Sequence, residues 1–196
     1  DEDTVEISID KLIEQKQLVT DMLGGREFVF LPDIYNAEKR AANTVLFMKR
    51  YAPKCFCDID EQINNAELIS GVLYNEQQRL AIRLAVEKGI LILTGGPGTG
   101  KTTTLNGIIE LFEHRDMVIE LAAPTGRAAK RMTELTGKEA KTIHRLLEME
   151  FSGDDETGGK FRKNQQDLLE ENVIIVDEAS MVDNLLMSAL LHAVKP

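Results

Sequence analysis

The fold is decided by the stretch ILILTGGPGTGKTTTL, which runs from Ile90 to Leu105. Its first four residues are apolar and predict a buried strand, and a glycine-rich loop then leads into a helical pattern. The spacing G-x-x-x-x-G-K-[ST] is matched without a gap from Gly95 to Thr102. This strand–loop–helix context favours a phosphate-binding loop over an ordinary glycine-rich turn before a helix.

Each residue type in this loop has a physical role. Glycines let the backbone curl so that successive N–H groups point at one anion, and the helix N-terminus adds the positive end of its dipole. Lys101 is predicted to neutralise the β- and γ-phosphates, and the Thr102 hydroxyl to bind Mg²⁺. The residues predicted to bind the nucleotide from this loop are Gly95, Gly96, Pro97, Gly98, Thr99, Gly100, Lys101, Thr102 and Thr103.

A second chemical signal follows the apolar run Val173–Val176, which predicts a core strand ending in Asp177 and Glu178. Asp177 is expected to hold Mg²⁺, and Glu178 to polarise the attacking water. An apolar strand followed by two carboxylates is a weak signal alone, because many strands end in acidic turns. Together with the phosphate loop it indicates a catalytic site in which Lys101, Asp177 and Glu178 act on the nucleotide.

Composition and charge narrow the possible classes. The chain has 196 residues, of which 43% are hydrophobic and 29% charged, so it can bury a core. No apolar run approaches the ~20 residues of a membrane span, and we expect no membrane association. The net charge of −10 means that nucleic acid would have to bind a local positive patch. Cys55 and Cys57 are interpreted as reduced thiols of a cytoplasmic protein.

Residues 1–70 are predicted to form an accessory segment with a linker. The pattern indicates a helix, a turn at Gly24-Gly25, a strand over 27–31, a helix from Ile34 to Tyr51 and a weaker helical linker over 54–70. This order is compatible with a small winged-helix-like unit and equally with a generic helical leader. A boundary near Ser70-Gly71 then separates 1–70 from a nucleotide-binding domain at 71–196.

Asn75 and Gln78 carry two interpretations. Their spacing predicts a capping box at the start of a helix, which explains both residues structurally. Alternatively, the Gln78 amide reads an adenine edge, since an amide can donate and accept hydrogen bonds at once.

The one basic stretch of the chain lies at residues 126–145, after a predicted strand over 117–123. Ligands gather at the carboxyl ends of strands in open α/β sheets. The cations therefore predict phosphate contacts to a nucleic-acid strand, with a solvated helix face as the alternative. No aromatic residue interleaves with these cations, so base stacking on this stretch is not indicated.

Several segments now occur in one order, and together the chain resembles the first part of a superfamily 1 DNA helicase of the RecD type, like the alpha subunit of exodeoxyribonuclease V. The segments are Asn75-x-x-Gln78, Gly95 to Thr102, Ala123-Pro-Thr-Gly-Arg-Ala-Ala-Lys-Arg131, Thr142-Ile-His-Arg145 and Asp177-Glu-Ala-Ser-Met-Val-Asp183. The resemblance is close over 75–196 and loose over 1–70.

The resemblance implies an α/β fold, a RecA-like parallel sheet with helices on both faces. It implies an ATP-driven motor that moves 5′ to 3′ on single-stranded DNA, with a role in recombination or repair and other subunits of a DNA-repair nuclease complex as possible partners. Gln78 corresponds to the adenine-reading glutamine. The residues corresponding to the strand-contacting segments are Pro124, Thr125, Arg127, Thr142 and His144.

The resemblance also implies parts that this sequence does not contain. A complete motor has a second RecA-like domain and a catalytic arginine, and such an arginine is worth about 10³–10⁵ in rate in related NTPases. We therefore expect a piece of a longer polypeptide, truncated within its first motor domain, that hydrolyses ATP poorly alone. A non-motor DNA-binding subunit with a vestigial nucleotide site is the alternative from another class.

Overall fold

The computed structural model describes residues 2–51, 58–96, 98–150 and 159–195 of the chain. The predictions made for Pro97, Cys55 and Cys57 lie outside these described residues. Helices and strands follow one another in the order α1 (Glu2–Glu14), β1 (Val19–Leu23), β2 (Arg26–Phe30), α2 (Pro32–Arg50), α3 (Ile59–Ser70), α4 (Glu76–Glu87), α5 (Lys101–Glu113), β3 (Ile119–Ala123), α6 (Gly126–Thr136), β4 (Ala140–Thr142), α7 (Ile143–Leu146), β5 (Met149–Glu150), β6 (Lys160–Phe161), β7 (Val173–Val176), a 3₁₀ turn (Ala179–Met181) and α8 (Asn184–Ala193).

The central sheet has three parallel strands in the order β4-β3-β7. Ala123 pairs with Thr142 on one side, and Ala122 pairs with Val176 on the other. Because the strands are parallel and in this register, the residues after each strand meet at one edge of the sheet. β4 was not predicted from the sequence, since three residues are too few to display a period.

Helices cover both faces of this sheet, which confirms the predicted α/β class. Val173 and Ile175 of β7 pack toward the cluster that contains α3, α4 and α5, whereas Ile174 and Val176 pack toward α7 and α8. The alternation follows from the two-residue period of a strand. Both faces of β7 are therefore apolar, as its unbroken apolar sequence indicates.

The predicted strand at 90–93 forms no ladder with any strand in the described part of the chain. Leu91 packs against the cluster that contains α5, but the Ile92 side chain is 81% exposed. A strand needs a neighbour for its backbone hydrogen bonds, and the apolar pattern alone does not supply one. Among the described residues this segment is thus not a paired strand, and it is less buried than the sequence indicates.

The first fifty residues form a helix, a hairpin and a second helix. β1 and β2 are antiparallel, and their turn uses Gly24 and Gly25 at φ values of 58° and 79°. The sequence predicted β2 but not β1. Helix α2 begins at Pro32, two residues earlier than expected, because proline is favoured in the first turn of a helix.

The segment predicted as a linker is a packed helix. Ile59 and Ile63 of α3 are buried in one cluster with Ile82 of α4 and Leu111 of α5. Helix α2 in turn packs along α8. The accessory segment and the nucleotide-binding segment are therefore in contact at two places, and the boundary near Ser70-Gly71 stays a prediction. Within the described residues, no helix is long and apolar enough to cross a membrane.

Candidate nucleotide site and nucleic-acid interface

The phosphate loop follows the segment at 90–94 and precedes helix α5, which begins at Lys101. Gly100 has a φ of 81°, a left-handed conformation that residues with a Cβ rarely adopt. A Cβ on Gly100 would also lie 2.5 Å from the Nε2 atom of Gln78. The left-handed backbone therefore favours glycine here, and a Cβ would in addition displace the Gln78 amide.

Lys101 lies over this loop. Its Nζ atom donates hydrogen bonds to the carbonyl oxygens of Gly95 and Gly96, the second at 3.0 Å. Thr99 closes the loop from the other side, since its hydroxyl donates to Gly96 O at 2.9 Å. The exposed ammonium group therefore lies close to the N-terminus of α5, where the helix dipole also favours an anion.

Gln78 connects helix α4 to the phosphate loop. Its Oε1 atom accepts from the Asn75 backbone N–H at 2.9 Å, and its Nε2 atom donates to Gly100 O at 3.4 Å. The Asn75 side chain accepts from Gln78 N at 2.9 Å, so the predicted capping box is confirmed. Each polar atom of the amide retains one further hydrogen-bonding position. The adenine contact stays a prediction, and the position of Gln78 against Gly100 is compatible with it.

Thr104 is a supporting residue that sequence reasoning missed. Its hydroxyl donates to Gly100 O at 3.0 Å, and only 3% of the residue is exposed. A threonine four residues after a helix N-cap can form this bond to the preceding turn. The spacing between Gly100 and Thr104 could have indicated this bond. It did not single out Thr104, because three consecutive threonines occupy positions 102–104.

The acidic pair lies where β7 ends. The Asp177 backbone N–H donates to Ala122 O at 3.0 Å, which continues the pairing with β3 by one residue. Asp177 Oδ1 accepts from Glu178 N at 2.9 Å, and Glu178 has a φ of 52°. Non-glycine residues in this conformation cost about 1–3 kcal/mol and cluster at functional sites. In the described chain, no hydrogen bond or ion pair joins either carboxylate to the phosphate loop.

The predicted strand-contacting residues lie at the same sheet edge as the acidic pair. Pro124, Thr125 and Arg127 follow β3, and Thr142 ends β4. Each threonine caps a helix, because Thr125 Oγ1 accepts from Ala128 N and Thr142 Oγ1 accepts from Arg145 N, both at 3.2 Å. A capping hydroxyl accepts through oxygen and keeps its own hydrogen for a phosphate. Their structural role is thus established, and DNA contact stays a prediction.

His144 has a packing role. Its ring lies 5.9 Å from the Phe161 ring, centroid to centroid, at an angle of 48°. The histidine is half-buried, and this contact links helix α7 to strand β6. The local pattern does not indicate this contact, because Phe161 and His144 are distant in the sequence.

The basic stretch divides into two parts. In its second half, Lys141 pairs with Glu120 at 2.8 Å and Lys138 pairs with Glu113. The cations of helix α6 differ, since they are exposed and form no ion pair with any described residue. They are Arg127, Lys130 and Arg131. The positive surface available to an anion is therefore narrower than the sequence indicated, and it lies on α6 beside the carboxyl end of β3.

Comparison with known proteins shows the family of this chain. Residues 78–196, more than half of the chain, match the family described as AAA domain. The matched range begins at Gln78 and contains the phosphate loop, helix α6 and the acidic pair.

Individual relatives have similar sequences. The chain is 36% identical to the ATP-dependent RecD2 DNA helicase of Deinococcus radiodurans over 172 residues, which cover 88% of this chain and 23% of that protein. It is 40% identical over 144 residues to the RecBCD enzyme subunit RecD of Mycolicibacterium smegmatis, covering 62% of this chain and 25% of the relative. It is 40% identical over 111 residues to the ATP-dependent DNA helicase dda of Enterobacteria phage T4, covering 56% and 25% respectively.

The chain thus spans about a quarter of the length of these relatives. The resemblance to RecD-type helicases that the motifs indicated is confirmed by these matches.

Proposed function

Because this chain belongs to the AAA domain family, we propose that it is the nucleotide-binding part of a RecD-type ATP-dependent DNA helicase. The observation that carries this proposal is the phosphate loop with Lys101 above it, in a chain whose sheet edge also presents Asp177 and the α6 cations. That combination provides both a nucleotide site and a surface for an anionic strand.

In this function the loop and the N-terminus of α5 bind the nucleotide phosphates. Lys101 exchanges its contacts with Gly95 O and Gly96 O for phosphate oxygens, which carry full charge and form stronger hydrogen bonds. Thr102 and Asp177 fit the donor set of Mg²⁺, which uses one or two protein oxygens together with substrate phosphates. The ion would neutralise charge that develops on the phosphates. Glu178 holds the attacking water and accepts its proton.

The single strand contacts the sheet edge through the capping hydroxyls of Thr125 and Thr142 and through Arg127. Phosphate contacts of this kind position a strand without reading its sequence. We further propose movement in the 5′ to 3′ direction and a role in DNA repair. The name of the mycobacterial relative, a RecBCD enzyme subunit, supports the proposal that the full-length protein works with other subunits of a nuclease complex.

The alternative is a DNA-binding subunit whose nucleotide site no longer acts. The exposed cations of α6 would suffice for that role, since they need no nucleotide to bind phosphates. The presence of Lys101, Thr102, Asp177 and Glu178 together favours the motor, because a site without function has no physical need for all four.

Titration with a fluorescent ATP analogue and Mg²⁺ distinguishes the motor from the non-motor DNA-binding subunit. Replacing Lys101 removes charge-assisted hydrogen bonds, so Lys101→Ala should weaken nucleotide binding about tenfold or more. Lys160→Ala is the matched control, since it changes an exposed lysine on strand β6. Unchanged nucleotide affinity in Lys101→Ala would favour the non-motor subunit.

Hydrolysis is tested on the full-length protein. Glu178→Gln keeps the side-chain shape but removes the base, so we expect nucleotide binding to persist while turnover falls about 100-fold or more. Glu61→Gln, an exposed residue in the first turn of α3, is the control. Turnover that survives in Glu178→Gln would contradict the role assigned to this carboxylate.

A further inference from the structure

A second positive surface lies in the N-terminal segment, which is otherwise acidic. No Asp or Glu occurs between Lys39 and Cys57, and the last turn of α2 contains Lys49 and Arg50. Both cations are exposed, and neither forms an ion pair with a described residue. Cations in the last turn of a helix stabilise it by complementing the helix dipole. This effect accounts for Lys49 and Arg50 but not for the exposed aromatic side chains beside them.

Two exposed aromatic rings accompany these cations. Phe47 and Tyr51 lie one turn apart, with ring centroids 4.5 Å from each other. Phe47 is 44% exposed and Tyr51 is 60% exposed. Together with Asn43, Leu46 and Arg50 they line an open depression of about 420 Å³. Apolar rings held at the surface in this way are available to a flat ligand.

We propose that this face of α2, defined by Phe47, Arg50 and Tyr51 and here called the aromatic face, is a second contact for single-stranded nucleic acid. The inference rests on the proposed function for its ligand, and it adds a site outside residues 124–144. Unpaired bases stack on Phe47 and Tyr51, because every base has a π-face that fits an aromatic ring. Arg50 and Lys49 contact the phosphates between those bases.

The combination of groups selects this ligand over others. An apolar protein partner could pack against the rings. It would offer no negatively charged group to Lys49 and Arg50, so the cations would not contribute to its binding. Duplex nucleic acid could bind the cations through its phosphates. Its bases are stacked on one another, so they are not available to stack on Phe47 or Tyr51. A single strand uses both, and strands held without sequence preference are held by stacking together with positive charge.

The position of α2 connects this contact to the motor. Helix α2 packs along α8, and α8 follows the acidic pair after a single 3₁₀ turn. A strand bound to the aromatic face therefore lies on a helix that packs against α8, the helix that follows the acidic pair. We expect a long strand to contact the aromatic face and α6 together, and a short one to contact only one of them.

Fluorescence anisotropy with a labelled oligothymidylate of about 20 nucleotides tests the proposal. Tyr51→Ala and Phe47→Ala should each weaken binding about fivefold or more, the range measured for lost base stacking. Tyr51→Phe should bind as the wild type does, because the ring remains. Leu46→Ala is the matched control, since Leu46 is 62% exposed in the same depression but has no π-face.

A strand that contains 2-aminopurine reports stacking directly, and its fluorescence should be quenched by wild type and not by Tyr51→Ala. The loss should persist in an Arg127→Gln, Arg131→Gln background, because the two contacts are separate. A duplex of the same length should not distinguish Tyr51→Ala from wild type. An equal loss for duplex, or a loss in Leu46→Ala as large as in Tyr51→Ala, overturns the proposal in favour of charge alone or of apolar docking.

The same variants are also titrated with the ATP analogue. Nucleotide binding tests the proposed function and strand binding tests the aromatic face, so either proposal can fail without the other. If Tyr51→Ala binds nucleotide and single strand as the wild type does, the aromatic face is not a strand contact and the proposed function stands. If wild type binds single strand through the aromatic face but binds no nucleotide, the proposed function fails and the inference stands.

Discussion

Gln78 illustrates how one side chain can serve structure and chemistry at once. Its amide completes the capping box with Asn75 and also contacts Gly100, the last glycine of the phosphate loop. A side chain at Gly100 would displace the Gln78 amide from this position, in addition to straining a backbone with a φ of 81°. Gln78 thus joins the first turn of α4 to the loop, and its contact with a bound base stays a prediction.

The two roles are separable by substitution. Asn75→Ala removes the cap but leaves the amide, and should lower the free energy of unfolding by about 1 kcal/mol without changing nucleotide preference. Gln78→Ala should lower stability similarly and also reduce the preference for ATP over GTP, measured by competition with a fluorescent analogue. If both variants keep the same preference, Gln78 is a capping residue and does not read the base.

Helix α5 is the element on which the nucleotide site is built, and its packing is unusually tight. At Gly107 an added Cβ would lie 2.8 Å from Ile82 Cδ1 and 2.8 Å from the Tyr74 hydroxyl oxygen. Burial raises the pKa of Tyr74, because the ionised phenol would lose its hydration there. The glycine therefore lets α4 and the Tyr74 ring approach α5, which fixes Gln78 relative to the loop.

Gly107→Ala should consequently destabilise the protein although alanine is the better helix former. The expected loss is about 1–3 kcal/mol, since the Cβ overfills a packed site. Asn106→Ala, one residue away and exposed, should be neutral or slightly stabilising through helix propensity alone. Urea unfolding monitored by circular dichroism measures both. A gain in stability for Gly107→Ala would show that the α4–α5 contact is loose.

Across the whole molecule, charged contacts tie α3 to the nucleotide-binding segment. The Glu67 carboxylate accepts from the Tyr74 backbone N–H at 2.8 Å and pairs with Arg79 at 2.7 Å. These contacts hold the pKa of Glu67 below its usual range, the backbone hydrogen bond contributing most. A carboxyl group with a lowered pKa stabilises the folded state in its ionised form.

The sign of the resulting pH dependence follows. The unfolded protein takes up a proton on Glu67 first, near pH 4.5, so the stabilisation is complete above that value and is lost as pH falls below it. Glu67→Gln should therefore be less stable at pH 7 and less sensitive to acid between pH 5 and 3. Thermal unfolding at several pH values measures this, with Glu61→Gln as the exposed control. If Glu67→Gln and wild type lose the same amount of thermal stability as pH falls, Glu67 does not contribute to the acid sensitivity of the folded state.

The sequence by itself determined the parts of this protein that depend on neighbouring residues. The phosphate loop, the capping box at Asn75 and the core strand Val173–Val176 are all encoded within a few positions, because turns, caps and short apolar runs are local. The motif order across these segments also indicated the family correctly.

Only the tertiary structure decided which of these parts meet. The sequence places Lys141 and Lys138 in the basic stretch predicted to contact phosphates, yet they pair with Glu120 and Glu113, which lie 21 and 25 residues away in the chain. The sequence predicts a weaker helical linker over 54–70 but not its burial, because the residues that bury α3 belong to α4 and α5. Ion pairs, strand ladders and helix packing join residues that are distant in sequence, so local pattern carries no information about their partners.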